Sequence, residues 1–363
     1  MADWLFGYLM PGLHLAEPVE FGPVAVVPPT DPRVRSLVAN NKGVASLVGR
    51  VTNQFDEPIS PASLLYRADK PATVDHYALA SFRNCLALCS VIDGTVFALG
   101  RGSSRYALWS DHFDFYPYTS DAEGNLSSQS IAFGDIHRSG PFKGQSAPHI
   151  PPAQSVSFGL DKRTFRHCMR AWSSFFLKGD EKRPNRKLFR SLEVAFQAMR
   201  VPAVGSRHSS IHDFGIGVGL WVSAFEVLGR PWGKKKVNLG VIVELLGGAA
   251  FFDGKLTARR HRIKYNGKKS QINIVQWLYT RLYAARNDYM HGNAVDGTNL
   301  FPDQDTSRPN LLRLAPLVFR AALDSYLPQT ARRTGKLAER LADEMLDLRF
   351  QSRYEAAILS AKT

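Results

Sequence analysis

The chain changes its hydrophobic period at a segment rich in proline, glycine and serine, residues 139–155. Beyond this segment apolar residues recur three and four positions apart, which is the spacing of amphipathic helices. Before it the apolar runs are short and prolines interrupt them, as is typical of strands joined by turns. The pattern predicts an α+β chain of two domains. These are a β-rich N-terminal domain over 1–138, a candidate sensor or regulatory domain, and an all-α domain over 158–363 that follows a linker over 139–157.

The clearest strand signal in the N-terminal part is a pair of apolar runs, 86–92 and 95–100, on either side of Asp93-Gly94. Glycine accepts the positive φ of a tight turn, so an Asp-Gly pair between strand-like runs predicts a β-hairpin. Further strands are predicted over 24–27, 46–52 and 112–118. In the C-terminal part, a final long helix with a buried stripe is predicted for Leu337, Leu341, Met345 and Leu348.

The formal net charge of +14 and the pI of about 9.8 favour a polyanionic partner, with nucleic acid as the first candidate. A basic balance that serves only solubility is the alternative. Three cysteines form no disulfide framework and favour a reducing compartment. The sequence has neither a Cys-x-x-Cys nor a His-Glu-x-x-His motif, so we expect no zinc site, and no cofactor is predicted.

The N-terminus lacks the basic start of a secretory signal. The apolar runs 214–228 and 239–252 are too short to span a bilayer, and each carries a glutamate. These features predict a soluble, cytoplasmic protein that does not interact with membranes.

The segment Arg286-Asn287-Asp288-Tyr289-Met290-His291-Gly292 closes a predicted amphipathic helix, with Gly292 as its stop and Ser270 as its N-cap. Arginine offers a planar fork of donors to phosphate oxygens, and histidine exchanges protons near neutral pH. Chance alone supplies roughly one Arg-x4-His spacing in such a basic chain, so the helical context carries the prediction. Asn287 and His291 are four residues apart on one face, where the Asn287 amide can orient the imidazole.

Glu226 lies in a helix-forming run that is apolar nearly all round, and a carboxylate buried there needs a cation or hydrogen-bond donors. Arg286 is the natural candidate, whereas a Glu226 at the helix edge would need no partner. The basic run 255–269, just before the motif helix, predicts contacts with an RNA backbone, and Tyr265 can stack on a base. The alternative is a solvated loop. The predicted RNA-binding residues are Arg259, Arg260, Arg262, Lys264, Lys268 and Lys269.

The residues Trp221 to Leu228, with Glu226, and the later Arg-Asn-x-x-x-His-Gly segment resemble the HEPN superfamily. The similarity is greatest to its ApeA-like branch, which is linked to bacterial anti-phage defence, and it covers residues 160–355. The resemblance implies a helical-bundle core, a homodimer and a metal-independent endoribonuclease. It also implies that Arg286 and His291 are catalytic, that Asn287 assists, and that Glu226 and Asp288 support them. The long basic segment 233–270 departs from the family pattern.

The chemistry of RNA agrees with that implication. The 2′-OH can attack the adjacent phosphorus, with histidine as base or acid and arginine stabilising the charge that develops on the phosphoryl oxygens. One histidine cannot easily serve as base and acid in one step, so a composite site at a two-fold dimer interface is expected. Two alternatives are a HEPN-like module that binds RNA or protein without cutting, and a structural dimerisation domain.

Overall fold

The structure of the chain is a computed structural model. The described residues are 4–10, 13, 15–49, 58, 60–69, 74–102, 119–120, 126–127, 159–200, 211–231, 237–265, 267–331 and 348–362. The predicted strand over 112–118, the linker over 139–157 and the positions of Leu337, Leu341 and Met345 lie outside these residues.

The chain divides into two compact units. The first comprises Met1–Phe82 and Trp109–Phe158, and the second comprises Arg83–Leu108 and Gly159–Thr363. Residues 83–108 therefore group with the C-terminal residues, whereas the predicted domain limits place them in the N-terminal domain.

The first unit contains a four-stranded antiparallel sheet in the order β1-β4-β3-β2. Two helices between β3 and β4 cover a core of Phe6, Leu9, Val27, Val44 and Leu65. Its elements are β1 (Trp4–Met10), β2 (Val19–Phe21), β3 (Val24–Val27), α1 (Pro32–Asn40), α2 (Lys42–Val48), β4 (Ala62–Arg67), the first residues of α3 (His76–Gly100), β5 (Thr119–Ser120) and β6 (Leu126–Ser127). The strand predicted over 24–27 is confirmed. The strand predicted over 46–52 is wrong in its described part, because Asn41 caps a helix there by accepting from the Val44 N–H.

The hairpin predicted around Asp93-Gly94 is wrong, because α3 runs without a break from His76 to Gly100. Nearly every side chain from Ser81 to Val96 is buried. A helix that is apolar on all sides shows no 3.6-residue period, so the sequence pattern alone cannot distinguish it from strands. Asp93-Gly94 therefore lies within the helix, where the local turn preference of the pair is overridden by packing.

The first unit contains a sheet and the second unit is mostly helical, so the α+β class is confirmed. Besides the rest of α3, its elements are α4 (Lys162–Trp172, continued by a π-turn at Ser173–Leu177), α5 (Arg183–Arg200), α6 (Ile211–Gly229), α7 (Leu239–Gly247), α8 (Gly254–Thr257), β7 (His261–Tyr265), β8 (Lys268–Ile272), α9 (Ile274–Met290), two 3-10 turns (Gly297–Leu300 and Pro302–Gln304), α10 (Leu311–Ala331) and α11 (Leu348–Leu359). The prediction of an all-α C-terminal domain is wrong in one respect, because residues 261–272 form a two-stranded hairpin. Leu348 is 59% exposed, so its predicted place in a buried stripe is wrong.

Aromatic side chains join the three helices at the centre of the second unit. Phe225 of α6 contacts Tyr279 of α9 and Phe319 of α10, with ring centroids 4.9 and 5.1 Å apart. Trp221, one helical turn earlier on α6, packs on the same Phe319. These contacts fix α9, the predicted motif helix, against α6, the helix that carries Glu226.

A buried ion network ties α4 to α10. Arg320 is 1% exposed, and its Nε donates to Asp161 Oδ2 over 2.6 Å while its Nη1 donates to Asp324 Oδ2 over 2.9 Å. Asp161 is also the N-cap of α4 and accepts from the Thr164 N–H. Because both carboxylates are partnered, the network can be buried without an unpaired charge.

Among the described residues α3 is the one helix long and apolar enough to cross a membrane. Its most apolar 18-residue window is 83% buried inside the protein, as in the core helix of a globular unit.

Candidate functional site

The motif lies where α9 emerges from the core. The helix begins with a capping box in which Asn273 and Gln276 satisfy each other's backbone N–H groups, so Asn273 and not the predicted Ser270 is the N-cap. Its side chains are buried over the first turns and half-buried from Arg286 to Tyr289, and Met290 and His291 are exposed. The predicted catalytic residues are therefore on the part of the helix that solvent and ligands can reach.

The end of the helix fixes the position of His291. This residue is the C-cap, and its N–H donates to the Asn287 carbonyl over 2.9 Å. Gly292 follows with φ of 71°, the left-handed conformation that lets the chain leave the helix, as its sequence position predicted. Asn293 then donates from its side chain to Asp288 Oδ1 over 2.9 Å and from its backbone to the Asp288 carbonyl over 3.0 Å. Asp288 thus holds the turn that presents the histidine.

Arg286 is positioned by its neighbours on the helix. Its Nη1 donates to Asn287 Oδ1 over 3.0 Å, and its guanidinium lies 5.9 Å from the Tyr283 ring centroid. Asn287 therefore orients the arginine, whereas the interpretation that its amide orients the His291 imidazole finds no such hydrogen bond in the described structure. The guanidinium is half-buried and keeps donors that Asn287 does not use.

Glu226 lies close enough to Arg286 for the two charges to interact. Burial raises the pKa of Glu226 above its ordinary value of 4.5, and the positive charge of Arg286 opposes that rise. The described residues contain no direct ion pair between them. The prediction that the carboxylate acts with Arg286 therefore corresponds to a long-range interaction, and the guanidinium is not occupied by a carboxylate.

Two tyrosines complete this cluster, and the sequence interpretation did not include them. Tyr279 is fully buried, and its hydroxyl has no hydrogen-bond partner among the residues that the structure describes. Burial raises the pKa of Tyr279 well above 10, and the charge of Glu226 raises it further. The spacing of Tyr279, Tyr283 and Arg286, by four and then three residues, places them on one helical face and is the sequence signal that could have identified them.

Close packing between α6 and α9 depends on a glycine. A Cβ atom at Gly215 would lie 2.2 Å from Cδ1 of Tyr289, so only glycine admits that ring. Ile216 beside it is 57% exposed, and Met290, the residue after Tyr289, is 67% exposed. Large apolar side chains are thus exposed on both helices, next in the chain to the residues that form this contact.

The second half of the basic run forms an antiparallel hairpin, β7–β8, whereas residues 255–257 belong to α8 and Arg259 and Arg260 lie between the two. The side chains of Arg259, Arg260, Arg262, Lys264 and Lys269 are exposed, and those of Tyr265 and Lys268 lie outside the described part of the structure. The His261 ring at the base of the hairpin stacks on Trp277, with centroids 4.7 Å apart. This contact places the hairpin base near the start of α9, about 20 Å along the helix axis from His291 at 1.5 Å per residue.

In the described residues no group of three or more His, Cys, Asp or Glu side chains is arranged to hold a metal ion. The chain matches no protein-family model, and comparisons with curated proteins and with solved structures find no significant match.

Proposed function

We propose that this chain is a metal-independent endoribonuclease with a HEPN-like helical bundle. The observation that carries the proposal is the environment of Arg286. Asn287 orients this arginine near the C-terminal end of α9, and Arg286 forms no ion pair in the described structure. An arginine that served only to neutralise a buried acid would be expected to form a direct pair with it. Its free donors and the exposed His291 five residues later suit a phosphodiester.

The proposed reaction is an attack of the RNA 2′-OH on the adjacent phosphorus, with departure of the 5′-oxygen. One His291 accepts the proton of the 2′-OH, and a second His291 donates a proton to the leaving oxygen. Arg286 stabilises the charge on the non-bridging oxygens as the phosphorus becomes five-coordinate. The products are a 2′,3′-cyclic phosphate and a free 5′-OH, and no metal takes part in any step.

Because the reaction needs two histidines and the chain supplies one at this site, the active form is a homodimer with two copies of α9 facing each other. Met290, the residue before His291, and Ile216, the neighbour of Gly215 on α6, are exposed and suit burial at that interface. Replacing either by glutamate is expected to yield a folded monomer without cleavage activity, which size-exclusion chromatography with light scattering and a cleavage assay can measure. A variant that is monomeric and fully active would exclude the composite site.

Glu226 has a supporting role in this proposal. Its negative charge attracts the Arg286 guanidinium from a distance and helps to hold it in place. Because the two form no direct ion pair in the described structure, the guanidinium donors stay open to a phosphate. Asp288 supports the site by fixing the turn after His291.

A cellular role as an anti-phage or toxin-type effector in the cytoplasm, with the N-terminal unit as its sensor, rests on the family resemblance alone. It is part of the proposal because the ApeA-like branch that the chain resembles is linked to anti-phage defence.

The test is incubation of purified protein with total RNA in the presence of EDTA, comparing the parent with Arg286→Ala and His291→Ala. Both variants are expected to lose at least a hundredfold in rate, the usual effect of removing a general acid–base or an oxyanion donor. Arg353→Ala, which removes an exposed arginine from α11, is the matched control. Products should carry 2′,3′-cyclic phosphates. If folded Arg286→Ala and His291→Ala cut as fast as the parent, the site is wrong; if RNA is bound and never cut, the chain is a binding module.

A further inference from the structure

The β7–β8 hairpin has two chemically different faces. Residues directly opposite each other in an antiparallel pair share a face, and the register pairs Arg262 with Gln271 and Lys264 with Lys269. All four of these side chains are exposed. The other face pairs His261 with Ile272 and Ile263 with Ser270, and its side chains are half-buried or buried. The outer face is thus cationic, and the inner face packs on the protein.

The outer face carries its charge without local compensation. The sequence has no Asp or Glu between Asp253 and Asp288. In the described structure no carboxylate pairs with Arg262, Lys264 or Lys269, and the nearby Asp303 pairs with Arg281 and Arg308. Lys264 and Lys269 stand directly opposite each other, an arrangement that destabilises an isolated hairpin. A bound polyanion would remove that repulsion.

We propose that the outer face of the hairpin is a docking site for the RNA backbone, separate from the cleavage motif. Because α9 joins the two, the base of the hairpin lies about 20 Å along the helix axis from His291, which corresponds to about six nucleotides of stacked strand at 3.4 Å each. A stacked RNA shorter than this cannot occupy both places on one copy. The position of cleavage relative to the docking site rests on the proposed function, and the docking itself does not.

Charge-neutralising variants test the docking site. Arg262→Gln, Lys264→Gln and Lys269→Gln are combined in one protein, and a control combines Lys178→Gln, Arg186→Gln and Arg190→Gln, three exposed cations before and on α5. Both triple variants lose three positive charges, so they share the same net charge. Each is made in a His291→Ala background, so that RNA stays intact, and circular dichroism establishes that each is folded.

Binding is measured by fluorescence anisotropy with a labelled mixed-sequence RNA of about twenty nucleotides, at salt concentrations between about 50 and 200 mM. Loss of three phosphate contacts is expected to reduce the slope of log affinity against log salt by about 2, since each contact contributes about 0.7 for a single strand. The parent's affinity then falls about 20-fold more than that of the hairpin variant over this range. Equal slopes for the two triple variants would overturn the proposal, as would hairpin-dependent binding to anionic phosphatidylserine vesicles with unchanged RNA binding.

Cleavage is measured separately in proteins that retain His291, on mixed-sequence RNAs of about four and about twenty nucleotides. The parent and the α5 control are expected to cut the longer RNA with a higher kcat/KM, and the hairpin variant to lose that advantage while cutting the short RNA normally. An unchanged length advantage in the hairpin variant overturns the docking site alone. If no protein cuts any RNA, the proposed function fails, and the anisotropy result alone decides on the docking site.

Discussion

Two glycines on α6, one helical turn apart, should respond in opposite directions to the same substitution. A Cβ at Gly215 would lie 2.2, 2.5 and 2.6 Å from three atoms of the Tyr289 ring, including Cγ at its root. At Gly219 a Cβ would meet nothing within 4 Å. Gly215→Ala therefore forces the ring or the helix to move, whereas Gly219→Ala only replaces a poor helix former by a good one.

The expected magnitudes follow from these contacts. Overpacking of a well-filled site costs about 3 kcal/mol at the upper end of its usual range, which three such close contacts justify. The helix propensity of alanine returns about 1 kcal/mol, so Gly215→Ala should lose about 2 kcal/mol of unfolding free energy. Gly219→Ala should gain about 1 kcal/mol. The two variants should therefore differ by about 3 kcal/mol.

Urea unfolding followed by tryptophan fluorescence can measure this difference, since Trp221 lies on the same helix. The displacement of Tyr289 should also disturb the neighbouring Arg286 and His291, so Gly215→Ala is expected to reduce RNA cleavage and Gly219→Ala to preserve it. Equal stability of Gly215→Ala and Gly219→Ala would refute the packing of Tyr289 against α6.

Other parts of the structure make further predictions. Arg320→Met leaves Asp161 and Asp324 without their cation and should cost about 3–5 kcal/mol, whereas Arg353→Met on the surface should cost less than about 0.5 kcal/mol, as compared by thermal unfolding. Glu355 accepts from the Phe252 and Asp253 N–H groups over 2.9 and 2.8 Å, so Glu355→Gln, which keeps one acceptor oxygen, should cost about 1.5–3 kcal/mol, measured in the same way. Burial raises the pKa of Glu226. The folded state therefore binds the carboxyl proton of Glu226 more tightly than the unfolded state does. The stability that this protonation contributes is present below pH 4.5 and is lost as the pH rises from 4.5 through the raised pKa. Glu226→Gln should remove that loss, and a variant whose stability relative to the parent is the same at pH 4 and pH 8 would contradict this assignment.

The sequence predicted elements well where polar and apolar residues alternate with the period of the structure. In α5 the helical spacing of the apolar residues predicts a buried stripe, because the opposite face of that helix is charged, and the structure buries Leu188, Leu192, Ala195, Phe196 and Met199. In α3 no polar face exists, so the helical period is lost and the Asp93-Gly94 pair alone predicts a turn that the structure does not form. A turn signal of the same kind, Asn266-Gly267, lies between β7 and β8, where Gly267 has φ of 76°. Whether such a pair forms a turn depends on whether the flanking residues are buried on all sides or on one side only. That is decided by tertiary packing and not by local sequence.

The candidate site was predictable in its residues and not in its contacts. The positions of Arg286, His291 and Gly292 at a helix end follow from local sequence, because capping is a local interaction. The partner of Asn287 does not, since an amide at that position can reach either the preceding arginine or the following histidine, and side-chain geometry decides between them. The place of the Tyr279 hydroxyl in the cluster depends on the packing of α6 against α9, which local sequence does not predict.

The connection through α9 also determines what the proposed enzyme can tolerate. The helix is buried from Ile274 to Tyr279 and again at Leu282 and Ala285, so it cannot rotate without exposing its apolar face. A capping box fixes one end and a glycine turn fixes the other, and the hairpin and the motif are attached at those two ends. Their relative position is therefore set by the backbone of a packed helix, whereas a loop between them would leave it variable. If both proposals hold, the length of α9 sets the distance between the site that binds RNA and the site that cuts it. Substitutions on the buried face of α9 should move the motif while leaving the hairpin charges in place, and should therefore uncouple binding from cutting.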